Sequence, residues 1–430
     1  MSVFAKATAS RSARAAWTGV ALAGVSALLL TACSTGAPAP AESDEPTEAA
    51  GDALPIEAGE RDLTLKIGTL LPQSGNLAFL GPPEEAGVAA AVEDVNDAAQ
   101  GITVEAVYRD SGDTTTDIAT VSTTDLLSQD VAAIVGAASS GVSFTVIDQI
   151  TAAGVVQFSP ANTSPDFTDY DDNDLYFRTA PSDLLQGEVL GNQIASDGAS
   201  TLGLIVINDP YGTGLAEATK AAFEAAGGEV VAEELYNTGD SNFDAQVAAI
   251  TAANPDAVAV ITFDESRVIV PALVGAGQPG DSLYFVDGNL FNYTADFAPG
   301  LITGSKGTLP GPKLEDDFRD RLLAVDPALT EFAYGPESYD AVMLIALAAY
   351  AANSADPADF APYIRQVSGG TGDGEKVSTF ADAAALLAEG QQIDWDGPSG
   401  PITLDEAGDP TEASIGVYEY AEDNTFSRIN

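Results

Sequence analysis

Short apolar runs suited to β-strands alternate with longer stretches of helical spacing, and this alternation limits the fold more than any other feature. Leu65–Leu71 (LKIGTLL) reads as a strand that stops at Pro72. Gly81–Ala99 has helical periodicity, with Val88, Val92 and Val95 on one face and Glu84, Glu85, Glu93 and Asp94 largely elsewhere. A strand at Ile102–Tyr108, a helix at Thr116–Ser128, a strand at Val131–Val135, a helix at Val142–Ala152 and a strand at Val155–Phe158 follow. The pattern then restarts, with a helix at Leu184–Ser196 and a continuously apolar strand at Leu202–Ile207 (LGLIVI). Helices at Gly214–Ala226, Phe243–Ala253 and Arg267–Gly275 interleave with strands at Val230–Leu235, Ala257–Thr262 and Leu283–Val286. Such a series specifies parallel sheets covered by helices on both faces. Gly304–Gly390 adds helices at Ser338–Ala352 and Thr379–Ala388, and Pro401–Leu404 and Ile415–Tyr420 read as strands in a turn-rich tail. The economical reading is two doubly wound lobes, with late segments returning to each.

The N-terminus is organised differently. Lys6, Arg11 and Arg14 precede an apolar stretch from Trp17 to Leu30, too short and too rich in Ala and Gly for a transmembrane helix. It ends in Leu30-Thr31-Ala32-Cys33, which resembles the lipobox of bacterial lipoproteins. Residues 1–32 are therefore expected to be a signal peptide and Cys33 the lipidated residue. As the only cysteine in the chain, Cys33 has no internal disulfide partner. Two buried acyl chains, at about 0.8 kcal/mol per methylene, hold a protein firmly to a bilayer. Residues 34–62 are dominated by Ala, Pro, Glu, Ser, Asp and Thr, a composition expected to form a disordered tether.

Composition removes several function classes. A net charge of −49 excludes nucleic acid as a partner, because phosphate binding requires clustered Lys and Arg. The charge reads as a solvated, self-repelling surface. The chain has no histidine, so Ser-His-Asp and Cys-His nucleophile systems and the usual zinc sites are absent. The acidic run Asp169–Asp174 fails as a calcium loop, with Asp174 where the turn glycine belongs and Ala180 where the bidentate Glu belongs. No cofactor or metal is expected. Carboxylate-pair hydrolysis is left open by composition, though no acid and nucleophile stand at matched positions.

Ligands of doubly wound sheets bind beyond the carboxyl ends of the strands. In the first half those loops are 72–81, 136–141 and 159–165, and in the second half 208–214, 263–265 and 286–289. Ser and Thr hydroxyls beside free helix-start N–H groups suit a carboxylate. Taken singly, Ser139 or Ser140 is equally well an N-cap, Thr163 a turn former, and Asp287-Gly288 a turn dipeptide.

The order and spacing of IGTLLPQSG, GAASSG, FSPANTSPD, LYFRTAPSDLLQG, NDPYGTG, SYDAVMLIA and GPSGPITLDEAGD resemble the leucine/isoleucine/valine-binding family of ABC-importer solute-binding proteins. The resemblance spans Leu65 to about Tyr420. It implies a type 1 periplasmic binding protein fold: α/β, two Rossmann-like doubly wound lobes joined by a three-crossover hinge. The first lobe would be residues 63–181 plus 305–392, the second 182–304 plus 393–430. Carried over by position, Ser140 and Thr163 would meet a ligand carboxylate and the Ala161 carbonyl an α-ammonium, with Ser139 also among the ligand-binding residues. Asp287 would neutralise that ammonium, where Glu is commoner in the family. Tyr211 and Phe263 would close over the ligand. Leu80 replaces a first-lobe aromatic, with Phe79 beside it, a departure that touches side-chain preference. The implied protein is a lipid-anchored receptor at the outer face of the cell membrane, binding an amino acid and partnering an ABC permease. A different solute (a short amide, urea or an aromatic acid) or a sensory role is the alternative.

Overall fold

The computed structural model describes residues 53–372 and 374–430. The signal peptide, Cys33 and the tether as far as residue 52 lie outside the described residues. The fold alternates as expected. Strand β1 (Leu63–Leu71), helix α1 (Gly81–Asp97), β2 (Ile102–Asp110), α2 (Ile118–Ser128), β3 (Ala133–Gly136), α3 (Ser140–Ala152), β4 (Val156–Ser159) and β5 (Tyr176–Arg178) build the first lobe. Their sheet runs β2-β1-β3-β4-β5, and every pairing is parallel. The second lobe takes α4 (Asp183–Ser196), β6 (Thr201–Ile207), α5 (Pro210–Ala225), β7 (Glu229–Tyr236), α6 (Asp244–Ala253), β8 (Ala257–Ile261), α7 (Ser266–Gly275), β9 (Leu283–Phe285) and β10 (Lys306–Pro310). The chain then runs through α8 (Asp316–Val325), α9 (Gly335–Ala352), α10 (Pro357–Val367), β11 (Glu375–Val377), α11 (Phe380–Ala388), β12 (Ile393–Gly397) and β13 (Gly400–Pro401). It ends in β14 (Ile415–Tyr420) and β15 (Phe426–Arg428). The second sheet runs β7-β6-β8-β9-β10-β14-β15, parallel up to β10 and antiparallel beyond it.

Local chemistry accounts for these elements. The LGLIVI run is buried along β6 because a central parallel strand has helices on both faces. Its neighbour β7 lies at the sheet edge, where Glu229, Glu233 and Glu234 discourage pairing with a foreign strand. Every residue of α9 is buried, so its apolar sequence marks a core helix rather than an amphipathic one. Val342, Met343, Leu344, Ile345 and Leu347 contribute about 1.5–3 kcal/mol each by leaving water. Among the described residues no single helix is long and apolar enough to cross a membrane.

Two lobe boundaries differ from expectation. The resemblance places β10 in the first lobe, yet it pairs with β9 and β14 in the second sheet. Its sequence, KGTLP, carries Gly and Pro and hides the strand. The resemblance places residues 393–404 in the second lobe, yet Ile393, Trp395, Ile402 and Leu404 pack in the first-lobe core. Trp395 Nε1 donates to Asp340 on α9 at 2.8 Å, and Arg178 grips Asp409 through two bonds of 2.6 and 2.7 Å. These contacts carry the tail across the first lobe before β14 returns it to the second. The crossovers therefore fall near residue 181, near residue 311 and between residues 404 and 415.

The expected tether also ends early. Leu54 N–H donates to Gln366 Oε1 (2.7 Å), Tyr363 donates to the Pro55 carbonyl (2.8 Å), and Glu57 N–H donates to the Ala351 carbonyl (2.9 Å). Arg61 lies over the Tyr350 ring at 4.6 Å. Residues 54–61 are thus docked against α9 and α10.

Candidate functional site

The loops at the carboxyl ends of the two sheets meet at one place. In the first lobe they are cross-tied. Ser139 caps α3, its Oγ accepting from Val142 N–H at 3.3 Å. Ser140 Oγ accepts from Ser164 N–H at 3.3 Å, and Asn162 donates to the carbonyls of Ala137 and Ala138. Beneath this loop the buried Arg178 guanidinium donates to the Ser164 carbonyl at 2.7 Å while Asp409 balances its charge. The backbone around Ala161–Ser164 is held from below by a charge-assisted network, which fixes the direction of its groups.

Asp287 organises the second lobe's contribution. Its Oδ1 accepts from Tyr211 (2.7 Å) and Gln186 (3.0 Å), and its Oδ2 accepts from Tyr334 (2.6 Å). Burial raises its pKa, and the three side-chain donors and the Gly288 N–H oppose that rise. Tyr211 stacks on Phe263 with ring centroids 5.3 Å apart. The residue after Asp287 must be glycine for close approach: a Cβ on Gly288 would meet Phe263 Cδ1 at 2.8 Å and Tyr211 Oη at 2.9 Å.

A narrow cavity of ≈ 20 Å³ joins the two halves. Leu80, Ser139, Ser140, Ala161, Tyr211, Phe263 and Asp287 all line it. Thr163 and Phe79 do not. Thr163 is buried with its hydroxyl unbonded among the described residues, and its carbonyl accepts from Asp183 N–H at 2.7 Å. Phe79 packs against Phe291 with centroids 4.7 Å apart, closing the rim rather than flanking the cavity with Leu80. The rim is closed further by Asn76 Nδ2 donating to Glu265 (3.1 Å) and Ser164 Oγ donating to the Pro210 carbonyl (3.0 Å). Those bonds run between the lobes.

Sequence reasoning missed Leu77, Ala138, Gly288 and Tyr334 in the cavity wall. Tyr334 precedes α9 with φ 61°, a left-handed conformation that costs a non-glycine residue about 1–3 kcal/mol. Its signal was faint: a lone aromatic in a turn, just ahead of a core helix. Asp183 was also missed, although it stands within PSDLLQG. Both its carboxylate oxygens are buried without a hydrogen-bond partner among the described residues. Burial first, and then the charge of Asp287, raises its pKa well above the ordinary carboxylate value. The Thr163 hydroxyl lies near enough to ease that rise, yet not in hydrogen-bonding geometry. Asp209, the cap of α5, is also pushed up by burial, to about 6. The cleft thus concentrates buried carboxylates, and among the described residues no group of His, Cys, Asp and Glu is arranged to hold a metal ion.

Residues 64–424 match the periplasmic binding protein family. The chain is 30% identical over 310 residues to the Leu/Ile/Val-binding protein homolog 1 of Brucella abortus, covering 70% of this chain and 82% of that one. It is 27% identical over 382 residues to the chemotactic signal transduction system substrate-binding protein BasB of Halobacterium salinarum, covering 84% and 90%. Its fold superposes on a leucine-binding protein of Thermotoga maritima with a TM-score of 0.68 at 22% identity, covering 85% and 98%. Members of this family are binding proteins and not enzymes, which closes the hydrolase reading. The chain belongs to the Leu/Ile/Val-binding family of periplasmic binding proteins.

Proposed function

We propose that this protein is a lipid-anchored extracytoplasmic receptor that binds a branched-chain or related amino acid between its lobes and delivers it to an ABC permease. The observation that carries the reading is the buried carboxylate of Asp287 in the wall of a cavity whose other side presents the Ser139–Ser140 start of α3, with the unpartnered Asp183 buried close to Asp287. A zwitterion answers both ends. Its ammonium relieves the carboxylates, and its carboxylate meets hydroxyls and a helix N-terminus, so neither buried charge stays unpaired. Because the donors lie on one lobe and Asp287 on the other, the ligand favours the closed arrangement and hinge motion follows. Cys33 and the segment after it would keep this moving body within reach of the permease.

Calorimetric titration of the purified protein, freed of carried-through ligand by unfolding and refolding, against a panel of amino acids tests the reading. Saturable binding of an aliphatic amino acid is expected. Silence toward every amino acid sinks it and turns the search to short amides, urea and aromatic acids. For the anchor, Cys33→Ala should leave solute binding intact and release the protein from membranes; a variant that still pellets with membranes overturns that part. The relationship to BasB supports a second reading, in which the bound solute is a chemotactic signal. Uptake of labelled solute that depends on this protein separates transport from sensing.

A further inference from the structure

A second cavity, of ≈ 300 Å³, lies at the hinge. Leu309 at the end of β10, Pro312 in the crossover near residue 311, Tyr418 and Phe426 in the β14–β15 hairpin, and the 330–337 segment that opens α9 enclose it. The walls are largely apolar, but two acids interrupt them. Glu331 is half-buried and has one oxygen occupied by Asn292 N–H at 2.9 Å. Glu337 is 5% exposed; its own backbone N–H lies against its carboxylate, and among the described residues no side chain donates to it. Burial pushes its pKa up to about 8. Behind it stands Glu84 on α1, fully buried, with both carboxylate oxygens unpartnered among the described residues and its own pKa raised by burial and by Glu337. The cations nearby are engaged or exposed. Arg428 donates to the Gly311 carbonyl (3.0 Å) and to Asn430, and Lys313 lies on the exposed side of the crossover.

An apolar cavity whose wall holds a buried carboxylate with no side-chain donor among the described residues has one chemical complement. We propose that the hinge cavity binds a small organic cation, with an ammonium on Glu337 and an apolar or aromatic body against Leu309, Pro312, Tyr418 and Phe426. Tyr418 and Phe426 add cation–π attraction and area burial for such a body. An organic anion is disfavoured because Glu331 and Glu337 would repel it. The inference stands apart from the identity of the solute in the cleft, but the two sites are linked. Tyr334 lines both cavities and donates to Asp287 in the cleft. A cation seated at the hinge holds the 330–337 segment in one arrangement, and any effect on solute affinity must be matched by the reciprocal effect of solute on the cation.

Benzylamine is a suitable probe, with benzyl alcohol and benzoate as neutral and anionic controls of the same shape. Titrated into the full-length protein, benzylamine should bind saturably and raise the melting temperature, with affinity at least about tenfold above both controls. Glu337→Gln should weaken it by about tenfold or more, and Glu331→Gln by less. If Glu337→Gln fails to fold, Leu314→Trp, which fills the cavity from its half-buried rim, should abolish binding instead. Phe263→Ala, in the wall of the cleft and not of the hinge cavity, should leave benzylamine affinity within about threefold, which separates the hinge site from the cleft. Absence of saturable binding, equal binding of benzyl alcohol, or loss of binding in Phe263→Ala with retention in Glu337→Gln overturns the proposal.

Discussion

Tyr334 donates its hydroxyl to Asp287 Oδ2 at 2.6 Å, joining the turn before a first-lobe helix to the end of a second-lobe strand. Both groups are buried, so the bond ties the hinge to a buried acid of the cleft without competition from water. Tyr334→Phe keeps the ring and removes only the donor. A hydrogen bond to a charged group is worth about 1.5–3 kcal/mol, so solute affinity should fall roughly ten- to a hundredfold. Calorimetry with the amino acid that the unmodified protein binds measures the change, and unaltered affinity would show that the bond is structural alone.

Asp287→Ala is expected to act more severely. It removes the acceptor shared by Tyr211, Gln186 and Tyr334, leaving the two buried tyrosine hydroxyls unsatisfied as well as removing the charge, while Gln186 keeps Thr308 as acceptor. Binding of an amino acid should drop by about a hundredfold or more, while substitution of an exposed acid such as Asp316 should leave it unchanged. Equal affinities for the two variants would remove Asp287 from ammonium recognition.

Arg178 and Asp409 lie far apart in sequence and form a buried bidentate pair. Removing one partner of such a pair costs about 3–5 kcal/mol, because the other charge stays buried alone. Arg178→Met should therefore lower the urea midpoint sharply, and Arg178→Met combined with Asp409→Leu should recover part of the loss. The network also positions the 162–164 backbone, so solute binding should weaken in the single variant even where the protein remains folded.

The strand–helix alternation was legible because buried parallel strands are continuously apolar and their helices keep a 3.6-residue period, as in LGLIVI and the Val88–Val95 face of α1. What stayed hidden was short or polar. β10 contains Gly307 and Pro310, and β5 has three residues, so neither shows a strand pattern. Cleft residues at strand ends, such as Ser140, Tyr211 and Asp287, were reachable because strand ends and family motifs coincide. Tyr334 was not, since its place depends on how the chain returns from the second lobe. Asp183 carried a stronger local explanation as the first residue of a helix capped by Ser182. The assignment of 393–404 failed because the contacts that hold it, Trp395 with Asp340 and Arg178 with Asp409, span long stretches of sequence.

Stability should rise on acidification over much of the physiological range. Burial raises Asp209 to about 6, Asp340 to about 7 and Glu337 to about 8 in the folded protein, above their ordinary values. A carboxyl group with a raised folded pKa binds its proton more tightly when folded, so its contribution is fully present below the unfolded pKa and is lost as pH rises through the folded one. The melting temperature should thus climb as pH falls from about 8.5 toward 5, helped by weaker repulsion within a chain of net charge −49. Calorimetric scans across that range check it. A melting temperature that falls steadily from pH 8.5 to 5 would mean that these acids are ionised without cost.

Asp183 gives the sharpest test of how the cleft receives a cation. Its carboxylate is buried and unpartnered among the described residues, and both burial and Asp287 favour its protonated form. An arriving ammonium supplies the missing counter-charge, lowers the pKa and expels the proton. Binding near neutral pH should therefore release roughly one proton, and affinity should weaken as pH falls. Titrations in phosphate and in Tris, whose ionisation enthalpies differ, read the proton count from the difference in apparent heat. Asp183→Asn keeps the shape and cannot ionise, so the buffer dependence should collapse while some binding through Asp287 persists. If the variant releases as many protons as the unmodified protein, the proton comes from elsewhere and Asp183 is a structural acid.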